Sequence, residues 1–381
     1  MNRWTKRCMA FVLTLTIMCT SMSAVKPTVE TTYAATVQNI TKSTKVVCRK
    51  TVAVKAPSGY KNCKYSSTNP KVASIDAKGK LKALRLGVTT ITVKSGTKKK
   101  SYTITVVPEK KKPSILPEYR EMYEKNHDMA GWLKIEGTNV DYPVMHVKGF
   151  DPKKPIDYGE VYDKNMYYLT HDFDKEYSFS GCVTADYCAH IGSDYRSPNI
   201  LLYGHNMSNG TFFRDVNKFD VLYYGREMYD EHPVIQFDTI YEKGLYKIFA
   251  MMQVNVEKAD GEVFYYTAAY TFKNKKEFID YYAKVLDRSF IYTPQVDLKY
   301  GDEVIALSTC DFPFGKSKNI RYVLFARRVR EGEDPTVDVS KTIINYDPLY
   351  YDYWYSVYGG SWGGRNWDPA LLKGYKPKKS S

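Results

Sequence analysis

The stretch Asp302-Glu-Val-Ile-Ala-Leu-Ser-Thr-Cys310 predicts an apolar strand that ends in a thiol. Short apolar runs of this kind are typical of strands buried in a sheet or barrel. Catalytic groups are often displayed where the strands of a rigid scaffold end. Cys310 is therefore a candidate nucleophile, although a lone cysteine at a strand end is more often structural.

A second strand, Arg321-Tyr-Val-Leu-Phe-Ala326, begins eleven residues after Cys310. Alternation puts Arg321, Val323 and Phe325 on one face of this strand. The connecting segment 311–320 contains proline, glycine and asparagine, which predicts a turn that brings the chain back antiparallel. The first residue of the new strand then lies next to the last residue of the old one. We therefore expect Arg321 to stand beside Cys310.

A third apolar stretch, Asn199-Ile-Leu-Leu-Tyr203, is broken by Gly204 and followed by His205. The thiolate is the reactive form of cysteine, and an imidazole can accept or share the thiol proton. A guanidinium can stabilise the oxyanion that forms when a peptide carbonyl is attacked. Together, His205, Cys310 and Arg321 predict acyl transfer through a thioester. Water resolves such a thioester in a protease, and an amine resolves it in a transpeptidase.

The first 35 residues have the order of a signal peptide. Arg3, Lys6 and Arg7 precede an apolar stretch from Met9 to about Met18, and small residues follow. This stretch is shorter than the ~20 apolar residues of a spanning helix, which favours cleavage over retention as a membrane anchor. Either outcome places the rest of the chain outside the cytoplasm. We therefore expect an extracytoplasmic protein that is secreted or anchored at the cell surface.

Residues 36–107 alternate in short β-branched runs, such as Thr89-Thr-Ile-Thr-Val93 and Tyr102-Thr-Ile-Thr-Val106. The segment 65–80, followed by 87–93, resembles the bacterial immunoglobulin-like domains of group 2. The resemblance implies a β-sandwich that serves as a spacer or adhesive module. No catalytic residue types cluster in this region, so we expect a stalk rather than a ligand site.

Residues 108–117 are rich in lysine and proline and predict a linker. The region 118–331 is predicted to be a mainly β catalytic domain with a short amphipathic helix at its start. One further helix is predicted from about Lys275 to Leu286, where apolar residues recur at helical spacing and Asn274 with Glu277 forms a capping signal. Pro143 lies in a predicted strand and suggests an edge or a bulge.

The final segment, 332–381, is crowded with tyrosine, tryptophan and glycine, which is not the composition of a disordered linker. We expect this aromatic tail to pack as a strap on the catalytic domain. An aromatic platform for glycan or peptide binding is the alternative.

The net charge of the chain is +14, yet its lysines fall in runs such as 98–100 and 110–112 and not on one binding face. No recognition motif accompanies the charge, so we expect no nucleic-acid partner. A basic exported protein fits better with anionic cell-wall polymers or a membrane surface.

Five of the seven cysteines lie beyond the export signal, which leaves at least one thiol unpaired. Cys48 could bridge Cys63, and Cys182 could bridge Cys188, but buried reduced cysteines are an equal alternative for both pairs. No pair has the spacing of a zinc site, so no metal and no other cofactor is expected.

The segments Tyr203-Gly-His-Asn206, Leu307-Ser-Thr-Cys310 and Arg321–Ala326 resemble the three signature segments of sortases. Four upstream segments follow the order found in class B sortases, and so does the helix inserted between the late strands. These four segments are Gly131-Trp-Leu133, Asp141-Tyr-Pro-Val144, Tyr168-Leu-Thr-His-Asp-Phe173 and Phe179-Ser-Gly181. The resemblance covers about 115–330. It implies an eight-stranded β-barrel with short helices.

The resemblance also implies a function. A sortase cuts a sorting signal on a surface protein, holds it as a thioester, and passes it to an amine of a peptidoglycan precursor or a pilin. Cys310 would be the nucleophile, His205 the general acid and Arg321 the oxyanion or substrate partner. Ser308 and Thr309 would line the substrate groove, and the default substrate is an Asn-Pro-type signal.

Three alternatives remain open at this level. Arg327 or Arg328 would replace Arg321 only if the register of the strand were shifted. A secreted cysteine protease would use the same residues without an amine acceptor. A non-enzymatic cell-wall adhesin would leave Cys310 structural, and the immunoglobulin-like domain and the aromatic tail favour that alternative.

Overall fold

The structure is a computed structural model and describes residues 43–107 and 113–377. The chain divides into two compact units, Met1–Lys111 and Lys112–Ser381. The predicted export signal and residues 108–112 of the predicted linker lie outside the described residues. Among the residues that are described, no helix is both long and apolar enough to cross a membrane.

The first unit is a sandwich of two small sheets, as predicted for an immunoglobulin-like domain. One sheet has the strand order β1-β7-β6-β3 and the other has the order β2-β5-β4. The β-branched residues of β6 and β7 alternate between the core and solvent, which is the period of a half-buried strand. The strands are β1 Ser43–Val47, β2 Thr51–Ala53, β3 Lys64–Ser67, β4 Ala73–Ile75, β5 Lys80–Ala83, β6 Gly87–Ser95 and β7 Lys98–Val107.

The second unit is built on a closed barrel of eight strands in the order β10-β11-β15-β16-β13-β12-β8-β9. This confirms the predicted mainly β fold and the eight-stranded barrel. The barrel strands are β8 Met129–Lys134, β9 Asp141–Met145, β10 Val183–Ala185, β11 Asn199–Tyr203, β12 Val234–Thr239, β13 Leu245–Asn255, β15 Val304–Asp311 and β16 Ile320–Arg328. Two further strands, β14 Ile291–Tyr292 and β17 Ile343–Ile344, form a separate small sheet.

The two larger apolar clusters among the described residues of the second unit cover the two faces of the barrel strands. The first takes side chains from all eight barrel strands, among them Ile305, Leu307 and Leu324, and fills the barrel. The second takes the alternate residues of β11, β13, β15 and β16, such as Ala306 and Val323, and packs them against helix and tail residues on the outer face. Both faces of β15 and β16 are therefore covered, which explains their almost unbroken apolar sequence.

Within residues 113–377, five α-helices accompany the strands: α1 Pro117–Lys125, α2 Tyr158–Leu169, α3 Glu227–Glu231, α4 Lys275–Arg288 and α5 Asp352–Tyr358. The predicted start of α4 is confirmed, because the Asn274 side chain accepts a hydrogen bond from the Glu277 amide at 3.1 Å. The apolar face of α4 covers the outside of the barrel, and Phe278 and Tyr282 are fully buried there.

The sequence analysis did not predict α2. A local signal was present: Asp157 caps the helix, its carboxylate accepting from the amides of Gly159 and Glu160, and Glu160 stands three residues further on. The Tyr-rich sequence of α2 obscured its helical period. The omission matters, because the C-terminal carbonyl of α2 at Leu169 contacts the candidate active site.

Pro143 lies inside the closed barrel and not in an edge strand. β9 pairs with β10 only through Val144 and Met145, so no ladder bond is required of Pro143 on that side. The expectation of an edge or a bulge at Pro143 is therefore wrong, and the register shift of this strand pair lies in the partner strand β8, between Met129 and Gly131.

The aromatic tail packs on the catalytic unit as predicted. Strand β17 pairs with β14, and Trp367, Leu371 and Leu372 are buried in the outer apolar cluster. All five described cysteines are free thiols, so the reduced alternative holds for both candidate pairs.

Candidate active site

Three adjacent barrel strands bring the predicted residues to one end of the barrel. Strand β11 runs parallel to β15 with Tyr203 opposite Ser308, and His205 follows two residues later. Strand β16 runs antiparallel to β15 and places Arg321 directly opposite Cys310. The expected juxtaposition of Arg321 and Cys310 is thus present.

The register of β16 is not shifted, so the two alternative arginines lie elsewhere. Arg327 pairs with Val304 at the other end of β15, and its buried guanidinium binds Glu333. Arg328 binds Glu242. Both arginines belong to ion pairs at the far end of the barrel.

Cys310 and Arg321 project from the outer face of the barrel. Directly opposed residues in an antiparallel pair share a face, and Val323 and Phe325, on the same side as Arg321, pack in the outer cluster. Tyr266 closes this face, because its hydroxyl lies 2.9 Å from the Ser308 hydroxyl. Burial raises the pKa of Tyr266, while its hydrogen bond to Ser308 and the nearby positive charge of Arg321 lower it.

The backbone of Cys310 is held by two asparagine side chains. Asn206 Nδ2 donates to the Cys310 carbonyl oxygen at 2.8 Å, and Asn217 Nδ2 donates to the same oxygen at 3.3 Å. Asn206 follows His205 in the chain, so its bond couples the histidine loop to the nucleophile strand. The thiol itself is half-buried.

His205 is oriented by helix α2 and by an aromatic ring. Its Nε2 lies 2.8 Å from the carbonyl oxygen of Leu169. A carbonyl oxygen only accepts, so Nε2 carries a hydrogen and Nδ1 is the nitrogen left for proton transfer. Phe179 stacks on the imidazole with a centroid separation of 6.4 Å and an interplanar angle of 7°. Among the described residues no hydrogen bond joins His205 to Cys310, which is common in ligand-free catalytic sites.

Arg321 is partly anchored and partly open. Its Nη1 donates to Asn319 Oδ1 at 2.6 Å and to the Ile320 carbonyl at 3.1 Å. Within the described part of the chain, Nε and Nη2 have no protein acceptor. The guanidinium is thus fixed at one corner and presents donors for a substrate oxygen.

The side chains of Ser308 and Thr309, the two residues before the nucleophile, point to opposite faces of β15. Ser308 shares the outer face with Cys310, and its buried hydroxyl contacts that of Tyr266. Thr309 faces the barrel interior opposite Tyr322, and only about 2% of it is exposed. Whether either side chain contacts a substrate remains a prediction.

Sequence reasoning missed several residues of this site. Asn206, Asn217 and Tyr266 hold or cover the Cys310 strand, and the Leu169 carbonyl orients His205. Asn206 sits within a recognised segment, but Asn217 and Tyr266 reach the site only through tertiary packing. No local pattern marks them.

The arrangement combines a nucleophile, a proton carrier and a fixed positive charge at one end of the barrel. The thiol can attack a carbonyl carbon, and Arg321 can stabilise the oxygen that becomes negative. His205 can protonate a leaving amine. These are the requirements of acyl transfer from a peptide.

Comparisons with known proteins agree with this chemistry. The family "Bacterial Ig-like domain (group 2)" matches residues 25–106. Sortase B of Listeria monocytogenes is 30% identical over 197 residues, which is 52% of this chain and 68% of that protein. Sortase B of Staphylococcus aureus is 24% identical over 218 residues, which is 57% of this chain and 76% of that protein.

Solved structures are similar over the same share of the chain. A substrate complex of Staphylococcus aureus sortase B has a TM-score of 0.45 at 23% identity and covers 57% of this chain and 86% of its own. Sortase B of Clostridium perfringens has a TM-score of 0.43 at 26% identity, with coverage of 55% and 99%. The identity to the Listeria relative, over two thirds of its length, decides the assignment. This chain belongs to the class B sortases, which are cysteine transpeptidases, and carries a group 2 immunoglobulin-like domain before the catalytic barrel.

Proposed function

We propose that this sortase cleaves an Asn-Pro-type sorting signal outside the cytoplasm and joins the acyl fragment to an amine of a peptidoglycan precursor. A pilin amine is the alternative acceptor. The direct opposition of Cys310 and Arg321 at the strand end beside His205 carries the proposal. The signal-like order of the first 35 residues supports the extracytoplasmic location.

In the first step, the Cys310 thiolate attacks the carbonyl carbon of the scissile peptide bond. A carbon–sulfur bond forms, and the carbonyl oxygen becomes an oxyanion facing the open donors of Arg321. The carbon–nitrogen bond then breaks, and the leaving amine takes a proton from Nδ1 of protonated His205. The products are a thioester on Cys310 and a free peptide amine.

In the second step, the neutral acceptor amine attacks the thioester carbonyl. A new carbon–nitrogen bond forms, the carbon–sulfur bond breaks, and the thiolate of Cys310 is restored. His205 takes the proton that the amine loses, so the site returns to its starting state. Water entering in place of the amine would give hydrolysis, which is the protease alternative.

The test is mass spectrometry of the purified chain incubated with Asn-Pro and Leu-Pro sorting peptides, with and without a small primary amine. Wild type is compared with Cys310→Ala and Arg321→Ala. We expect a thioester on Cys310 and an amine-capped product from the Asn-Pro peptide, with neither species in Cys310→Ala. A product distribution that added amine does not change would favour the protease. A cleaved peptide in Cys310→Ala would overturn the assignment of the nucleophile.

A further inference from the structure

The positive charge of the chain is concentrated in the immunoglobulin-like unit. Residues 43–107 contain 15 lysine and arginine residues and one acidic residue, Asp76, so this segment alone has a net charge of +14. Residues 113–381 contain 33 basic and 39 acidic residues, which gives a net charge of −6. A strong excess of one sign on a small domain attracts ligands of the opposite sign. The first unit is therefore the part of this chain that suits an anionic partner.

Three lysines of this unit stand side by side on one sheet. Lys64 of β3 pairs with Lys94 of β6, and Lys94 pairs with Lys99 of β7. Directly opposed residues of antiparallel strands share a face, so the three side chains project from the same side of the sheet. Neighbouring strands lie about 4.8 Å apart, so the three Cα atoms span about 10 Å. We call these residues the lysine row. The lysine runs in the sequence do not reveal this row, because it depends on the register of three strands.

The lysine row lies on the solvent face and has no carboxylate partner within residues 43–107. Val93 is fully buried, so strand alternation directs Lys94 outward. The acidic residue of this segment, Asp76, is held in the turn before β5 by the amides of Lys78 and Lys80. Like charges directly opposite each other destabilise a strand pair. A bound anion would neutralise this row and remove the repulsion.

Hydroxyl groups continue the same face beyond the lysine row. The next row in register consists of Ser66, Thr92 and Ser101, and the one after it includes Thr90 and Thr103. The hydroxyls of Thr92 and Ser101 lie 3.1 Å apart. Lysine, serine and threonine side chains are common ligands of the phosphate groups of phosphodiester chains. The face therefore offers both the positive charge and the hydrogen-bond donors that such a chain requires.

Two other kinds of anionic partner fit this face less well. Single-stranded nucleic acids stack their bases on exposed aromatic rings, but Tyr65 and Tyr102 of these strands pack in the core of the sandwich. A membrane surface requires exposed apolar side chains next to the basic ones. The exposed Val88 lies at the other end of β6, about 20 Å from Lys94. A phosphodiester chain without bases is the better match.

We propose that the face carrying the lysine row binds a linear polyol-phosphate chain, the phosphodiester class of anionic cell-wall polymer. The lysines neutralise phosphate groups along the chain, and the hydroxyl rows donate hydrogen bonds to their oxygens. The inference does not depend on the catalytic assignment, because every group that it uses lies within residues 43–107. The immunoglobulin-like unit, which the sequence predicts to be a stalk, then also holds the protein on an anionic polymer.

Binding is measured on the full chain by isothermal titration calorimetry, with poly(glycerol phosphate) as the probe and a series of NaCl concentrations. We expect the affinity to fall steeply with salt, because each neutralised phosphate releases a counterion. The triple variant Lys64→Gln/Lys94→Gln/Lys99→Gln should weaken binding at least about tenfold at low salt. It should also reduce the slope of log K against log salt concentration by about 2. An unchanged affinity in this variant would overturn the proposal.

The matched control removes the same charge from the other sheet of the sandwich. Lys78→Gln/Lys80→Gln/Lys82→Gln replaces three exposed lysines of β5 and the turn before it, and should change the affinity less than about threefold. Far-UV circular dichroism verifies that both triple variants are folded. Equal losses of affinity in the two variants would show that only the net charge matters, and would remove the assignment to this face.

Further probes decide the chemical class of the ligand. Phosphatidylglycerol vesicles, single- and double-stranded oligonucleotides and polyglutamate present negative charge on a membrane, on nucleic acids and on a carboxylate chain. We expect each of them to bind at least about fivefold more weakly than poly(glycerol phosphate) at equal salt and charge concentration. Tighter binding to the vesicles or to an oligonucleotide, lost in the lysine-row variant, would replace the polymer as the partner. Equal affinity for polyglutamate would contradict the role of the phosphate groups.

Discussion

The five free thiols of the described chain lie in different environments, and this difference should control their reactivity. Burial raises the pKa of both Cys182 and Cys188 to about 12, and nearby aspartates add to each rise. At pH 8 only about one molecule in ten thousand would carry a thiolate at either position. Cys310 is half-buried and lies directly opposite Arg321 on the outer face of the barrel.

We therefore expect iodoacetamide at pH 8 to alkylate Cys310 in the native protein and to leave Cys182 and Cys188 unmodified. Peptide mapping by mass spectrometry gives the extent at each site, and denatured protein is the control in which all the cysteines react. Alkylation of Cys182 as fast as that of Cys310 would show that the native pocket around Cys182 is open.

The role of the Arg321 guanidinium can be tested separately from its positive charge. Lysine keeps the positive charge, but its ammonium cannot bind Asn319 and a substrate oxyanion in the same planar arrangement. We expect Arg321→Lys to lower kcat/KM for sorting-peptide cleavage by about 10²–10³, the usual cost of losing one oxyanion donor. Arg120→Lys, on the exposed side of α1, is the control and should behave as wild type. Retention of more than about half of the activity in Arg321→Lys would remove this role from Arg321.

At the scale of elements, the aromatic tail holds the loop that joins Cys310 to Arg321. Phe314 of this loop packs edge-on against Tyr353 with centroids 5.1 Å apart, and it contacts Tyr351 and Tyr358 as well. Lys318 Nζ lies 3.8 Å from the centre of the Tyr353 ring. Helix α5 therefore restrains both ends of the segment 312–319.

Removal of the Tyr353 ring should release this loop. An aromatic pair and a cation–π contact together contribute about 1–3 kcal/mol. We expect Tyr353→Ala to speed amide exchange in 312–319 about tenfold or more and to lower kcat, with hydrogen-exchange mass spectrometry as the readout. Tyr346→Ala, at an 84% exposed position of the same tail, is the matched control. Equal exchange in the two variants would show that the tail does not restrain the loop.

The tail is also a structural part of the catalytic unit. Trp367 is about 3% exposed, and its indole Nε1 donates to Asp287 Oδ1 at 2.8 Å, while Arg365 binds the same carboxylate. Ending the chain near Gly332 would open the outer apolar cluster, so point variants are the better probe of the tail. Trp367→Ala should lower the free energy of unfolding by about 3–5 kcal/mol in urea denaturation. A loss below about 1 kcal/mol would mean that the tail adds little to the core.

At the scale of the whole molecule, the far end of the barrel contains an ion pair whose arginine is fully buried. The Arg327 side chain is fully buried, and it donates to Glu333 through Nη1 and Nη2, both at 2.7 Å. Burial alone would raise the pKa of Glu333, but hydrogen bonds from Arg327, the Arg330 amide and Lys247 hold it well below its usual range. The folded state thus binds fewer protons than the unfolded state as the pH falls.

This stabilisation is fully present above about pH 4.3, the ordinary pKa of glutamate, and is lost progressively at lower pH. We expect Glu333→Gln to lower the free energy of unfolding of the catalytic unit by about 3–5 kcal/mol at pH 7, because it leaves Arg327 buried without a counter-ion. The difference from wild type should shrink below about pH 4. Tryptophan fluorescence reports on this unit, since Trp132, Trp354, Trp362 and Trp367 all lie in it.

Glu331→Gln is the control for this experiment, because Glu331 is exposed and lies two residues away from Glu333. An equal loss in the two variants, or a loss in Glu333→Gln that does not depend on pH, would contradict the role of the ion pair.

The amino-acid sequence by itself determined strands β11, β15 and β16 and the proximity of Cys310 to Arg321. Both follow from local rules: the apolar period of β15 and β16 sets their faces, and the short turn between them sets their register. The capped start of α4 at Asn274 is local as well. These features depend only on interactions between residues that are a few positions apart or that face each other across one turn.

Tertiary structure alone decided the remaining features. Asn217 reaches the Cys310 carbonyl from a short 3-10 helix, the Leu169 carbonyl fixes His205, and Tyr353 of α5 packs against Phe314. Each contact joins segments far apart in the chain, and the residue types involved are common on protein surfaces. The free energy of such contacts comes from burial and desolvation in the assembled fold, which no local pattern encodes.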